Sequence, residues 1–84
     1  MNEEQIVRRG AIASSVLLND EYISFFTELK SLILEGISQT KPEQGNEREQ
    51  LYYQYRAVDD VIGIMQSYSD AARAIQDKTE SESN

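Results

Sequence analysis

A chain of 84 residues has room for one domain at most, and one this short buries a smaller share of its surface than a full-sized domain does. The absence of cysteine and histidine excludes disulfides, thiol nucleophiles, imidazole bases and the usual zinc ligands. A formal charge of −7 argues against a general phosphate-binding surface, because affinity for a nucleic-acid backbone comes mainly from lysine and arginine displacing counterions.

The first helix is expected from about Glu3 to Leu18. Asn2 is suited to cap it, with Gln5 three residues on to complete a capping box, and Glu4 stands acid-first at i,i+4 to Arg8. Its inner face mixes Ile6, Val7 and Leu17 with Gly10, Ala11, Ala13 and Ser14, small residues that permit close helix packing while Gly10 weakens the helix itself. Glu3 and Glu4 also stand where a signal peptide is basic, and no apolar run approaches the roughly 20 residues of a membrane span. A soluble protein of the cytoplasm in which it is made is the expectation.

Asn19 and Asp20 interrupt the pattern and favour the end of one helix and the cap of the next. The second helix, about Asp20 to Ile37, carries Tyr22, Phe26, Leu29, Ile33 and Ile37 at steps of three and four, with Phe25 and Leu32 beside them. "SQTKPEQGN", residues 38 to 46, reads as a polar connector with room for a short turn near Pro42. Asn46 followed by Glu49 repeats the capping signature, so the third helix is expected from there to about Asp77, followed by a disordered acidic tail over residues 78 to 84. The acidic pairs Glu3–Glu4, Asp20–Glu21 and Glu47–Glu49 fall in first turns, where the helix dipole favours negative charge.

On a wheel of about 100° per residue, the third helix shows one seam of Leu51, Tyr55, Val58, Ile62 and Met65. A second, adjacent seam holds Tyr53, Ala57, Val61, Ile64, Tyr68, Ala71 and Ile75. Together they cover roughly 200°, against the roughly 100° that docks a surface helix on a core. One hairpin partner cannot cover that arc, and the surplus is left either to the first helix or to a second protein surface, another copy of this chain or a different subunit. Val61, Ile64 and Tyr68 on this seam, with Tyr53, form one half of a candidate interface. Tyr52 and Arg56 on the polar arc form the other, since tyrosine and arginine are enriched at binding hot spots. Arg56 is also spaced to reach Asp60.

Asp59 and Asp60 do not form a catalytic or metal-binding pair by themselves. Neighbouring side chains on a helix diverge by about 100°, and no motif fixes a third acid opposite them. The four glycines are scattered rather than gathered in a phosphate loop. Arg8–Arg9 is the lone basic pair, balanced by Glu3 and Glu4, and no basic stripe of a DNA-reading helix is present. No catalytic residue, metal ligand or cofactor is assigned.

The "LLND" break, the helix "EYISFFTELKSLILEGISQT" and, after a spacer, "REQLYYQYRAVDDV" resemble a group of short helical proteins encoded by tailed bacteriophages among head and packaging genes. The resemblance covers residues 13 to 65 and is carried by Arg48 and Glu49 at the start of the last helix, followed by Leu51 and Tyr52. It implies no catalytic residues. The resulting expectation is an all-α antiparallel helical hairpin with an additional N-terminal helix, oligomeric and non-enzymatic. Its partners are a second copy or another phage or host protein, in the host cytoplasm or the virion, with no membrane and no direct nucleic-acid contact. Two rival expectations are an acidic phage-encoded inhibitor of a host enzyme or defence complex, and a small terminase-like DNA-packaging subunit acting as an oligomer.

Overall fold

The computed structural model describes residues 1–83, which are helical throughout apart from short connectors. Three helices follow in order: α1 (Glu3–Leu17), α2 (Asp20–Ser38) and α3 (Gly45–Ser83). The capping box at Asn2 is formed in both directions, with Gln5 N donating to Asn2 Oδ1 at 2.8 Å and Asn2 N donating to Gln5 Oε1 at 3.0 Å. One residue of extended backbone at Asn19 (φ −96°, ψ 107°) separates α1 from α2, and its side chain accepts from Glu21 N and Tyr22 N to cap the second helix.

The connector is shorter than expected. Pro42 and Glu43 make a turn closed by Gln44 N donating to Lys41 O at 2.9 Å, and α3 begins at Gly45, so that Asn46 lies inside the first turn and not at its cap. Arg48 fastens this corner, its Nη1 donating at 3.0 Å to both Thr40 Oγ1 and Lys41 O. At the other end α3 passes Asp77 and continues to Ser83. The tail expected to be disordered is therefore helical over 78–83, and Asn84 lies outside the described residues. Extending an existing helix fixes one residue per bond gained, and no glycine or proline follows Gly63 to stop it. Thr79 Oγ1 donates back to Ile75 O along the way.

Contacts descend along α3 as they ascend along the two shorter helices. Lys30 meets Asp59 and Gly36 lies against Leu51, while Gly10 lies against Ala72 and Ser14 meets Ser69. Thus α2 lines the first half of α3 and α1 the second. The result is a rod of 63 × 25 × 16 Å with a radius of gyration of 17.8 Å, against about 12 Å for a compact chain of this length.

The two halves are built differently. Around α1 the packing is backbone-close: Gly10, Ala13, Ser69 and Ala72 are buried, and the Ser14 and Ser69 hydroxyls share a hydrogen bond of 2.7 Å. A Cβ at Gly10 would stand 2.2 Å from Ala72 Cβ and 2.6 Å from the Tyr68 carbonyl oxygen, so only glycine fits without moving α1. Around α2 the packing is bulkier, with Ile33 buried and Phe26, Ile37, Leu51, Tyr55, Val58 and Ile62 half-buried. A Cβ at Gly63 would meet nothing within 4 Å.

These two glycines give a paired test. In urea unfolding followed by circular dichroism, Gly10→Val is expected to lose about 1–3 kcal/mol through overpacking. Gly63→Ala is expected to gain about 0.5–1 kcal/mol from helix propensity alone. A Gly10→Val variant as stable as the parent contradicts the close α1–α3 approach.

Candidate protein-contact surface

The inner seam of α3 runs through Leu51, Tyr55, Val58, Ile62 and Met65, all half-buried, and continues into the buried Ser69 and Ala72. The adjacent seam divides. From Tyr68 onward it meets α1: Tyr68, Ala71 and Ile75 are half-buried, and the Arg9 guanidinium sits 4.6 Å from the centre of the Tyr68 ring. Tyr68 is accordingly part of the intramolecular packing, one face of its ring taken by Arg9. Before Tyr68 no helix covers the seam, and Tyr53, Val61 and Ile64 are 56%, 46% and 55% exposed.

On α2 the division between inside and outside differs from the sequence expectation. The inner row is Ile23, Phe26, Lys30, Ile33 and Ile37. The periodic row of Tyr22, Phe26, Leu29, Ile33 and Ile37 is split: Tyr22 and Leu29 are 54% and 46% exposed and form with Phe25 (65%) and Leu32 (57%) a second apolar row at steps of three, four and three. Lys30 concealed this arrangement. A lysine within an apolar row reads as solvent-facing, but here its ammonium reaches Asp59 at 2.5 Å and lies 4.8 Å from the centre of the Tyr55 ring. The hydrogen bond to Asp59 holds Lys30 above the ordinary lysine value, against a smaller opposing effect of desolvation. Its contribution to stability is therefore present below the ordinary lysine range and lost as pH rises through the raised value.

Tyr22, Phe25, Leu29 and Leu32 on α2, and Ala57, Val61 and Ile64 on α3, each sit one residue before a member of the inner row of their own helix. When two right-handed helices run in opposite directions, positions displaced in the same sense from the contact seam fall on the same side of the pair. The rows therefore share one face. By the register of Lys30 with Asp59, Phe25 stands level with Ile64, Leu29 with Val61 and Leu32 with Ala57. On α1 the face continues to Ile12, 62% exposed, which borders the same hollow as Ile64 and Tyr68. The opposite flank of the pair is closed by the Lys30–Asp59 ion pair.

The polar arc holds the other candidates. Tyr52 is 51% exposed, its ring centre 6.2 Å from that of Tyr53 at a tilt of 54°. Tyr53 Oη donates to Glu49 Oε1 at 2.7 Å, and this bond raises the phenol above its ordinary value. Arg56 is exposed and, among the described residues, makes no ion pair with Asp60 or any other acid. Asp59 is committed to Lys30 while Asp60 points outward, so the adjacent aspartates do not act together. No group of three potential metal ligands occurs among the described residues, and no helix there is long and apolar enough to cross a membrane. The chain matches no family model, no curated protein and no solved structure.

Aspartate substitution separates the rows. Ile62→Asp is expected to cost about 3 kcal/mol or more, since it places an unpaired charge in the inner seam. Val61→Asp and Ile64→Asp are expected to stay within about 1 kcal/mol of the parent, with helix content unchanged. Circular dichroism during urea unfolding reads both, and unfolding by Val61→Asp would make the second seam core.

Proposed function

We propose that this chain is a non-enzymatic contact subunit, an antiparallel helical hairpin with an added N-terminal helix that works by presenting its shared α2–α3 face to another protein. Two observations carry this reading: a total accessible surface large for the chain's size, and large apolar side chains exposed together on one face. Its accessible area is 6408 Å², whereas a compact monomer of 9.6 kDa exposes about 5,100 Å². The excess of roughly 1,300 Å² is on the scale of the roughly 800 Å² that each partner contributes to a standard interface. Beside it stand exposed side chains that a solitary helical domain would bury: Tyr22, Phe25, Leu29, Leu32, Val61 and Ile64. Tyr53 stands on the same side of α3 as this face, while Tyr52 and Arg56 lie exposed on the polar arc; tyrosine and arginine are residue types of binding hot spots.

The resemblance of residues 13 to 65 to short tailed-phage proteins supports a role in the particle or its assembly, as a structural, adaptor or packaging-associated subunit made in the host cytoplasm. A second reading, an acidic inhibitor of a host enzyme, draws on the excess of 15 acidic over 8 basic residues, which can imitate a nucleic-acid surface.

Mass spectrometry of particles purified from infected cells distinguishes them. The assembly reading expects the parent chain at fixed stoichiometry and the folded Leu29→Asp variant to be lost. Absence of the parent from particles, together with salt-sensitive capture of a host nuclease or polymerase, would transfer the function to the inhibitor reading.

A further inference from the structure

We infer that the exposed apolar face formed by the outer rows of α2 and α3 receives an amphipathic helix from a different protein, with lysine or arginine along its flanks. This rests on the contact-subunit reading and names the chemistry of the partner. The helical form of the occupant follows from the spacing of the rows. Tyr22, Phe25, Leu29 and Leu32 recur at three, four and three, as the inner row does, and their Cα atoms span roughly 15 Å, about three turns of an opposing helix.

Charge decides between occupants. Glu21, Glu28 and Glu35 lie along the outer edge of α2 at intervals of seven, all exposed. Among the described residues none is paired with a cation, and the Glu35 carboxylate accepts only a 3.5 Å bond from Gln39. The outer edge of α3 carries Glu49 and Asp60 around the single cation Arg56. A second copy would bring the same acidic edges to both sides of the contact, and like charges set opposite each other weaken association. An anionic lipid surface meets the same repulsion. A helix flanked by basic residues fills the apolar rows and neutralises the edges together.

Two synthetic amphipathic peptides with one leucine seam test this, one with lysine and the other with glutamate at the flanking positions. Binding to the full chain is read by fluorescence anisotropy at low and high salt. The lysine peptide is expected to bind about ten-fold tighter, as three exposed charge pairs would give, with the preference shrinking as salt rises. E21K/E28K/E35K should remove or reverse the preference, whereas D77N/E80Q/E82Q, at the far end of α3, should retain it. Equal loss in both triple variants makes net charge the cause and overturns the inference. Equal binding of both peptides overturns it while leaving the contact reading intact, provided Leu29→Asp abolishes both. A dimer of the purified chain that is lost in Leu29→Asp makes a second copy the occupant and overturns it too. If neither peptide binds and Leu29→Asp still enters particles, the contact-subunit reading itself fails.

Discussion

One helix of 39 residues offers a single inner seam, and two shorter helices must share it. Everything else in the rod depends on that sharing. A helix pair buries only the strip where the two cylinders meet, so a structure one pair thick has no place to enclose a large side chain completely. Among the described residues, no large side chain is fully buried, and the buried apolar positions are Ala13, Ile33 and Ala72. The α1 half compensates by bringing backbones together at Gly10, whereas the α2 half keeps its distance and fills the space with Phe26, Ile33, Tyr55 and Ile62.

The α2 half is also asymmetric. On one flank Lys30 crosses to Asp59 and lies on Tyr55, closing the seam with a charge pair. On the other, apolar rows from both helices stand open and level with each other. If the chain acts as the proposed contact subunit, ion-pairing one side and leaving the other apolar favours association on the apolar face, because a partner on the Lys30–Asp59 side would have to desolvate both charges. The exposed Glu21, Glu28 and Glu35 lie along the edge of that apolar side.

Much of this was legible from local chemistry. The Asn2–Gln5 capping box, the Asn19 cap and the seam from Leu51 to Met65 all follow from spacing and residue type, because each depends on neighbours within one or two turns. What was not legible depends on pairing between distant segments. Lys30 looks like a surface residue until Asp59, 29 positions away, is placed beside it, and with Lys30 in the inner row Tyr22 and Leu29 part from Phe26, Ile33 and Ile37 and stand exposed. Tyr68 looks equivalent to Val61 and Ile64 until Arg9 arrives from α1. The helix beyond Asp77 is illegible for another reason: its residues have little apolar surface to bury, yet an established helix needs little to continue.

The natural chain contains no cysteine, so single cysteines report their surroundings without background. The most direct measurement is the thiol-labelling rate of Leu29→Cys and Val61→Cys beside Ile33→Cys and Ile62→Cys, in dilute purified chain without partner. The outer pair should label as fast as the urea-unfolded chain, and the inner pair should be strongly slowed. Protection of Leu29→Cys equal to that of Ile33→Cys, in a chain that light scattering shows to be monomeric, would contradict an open apolar face on α2 and α3.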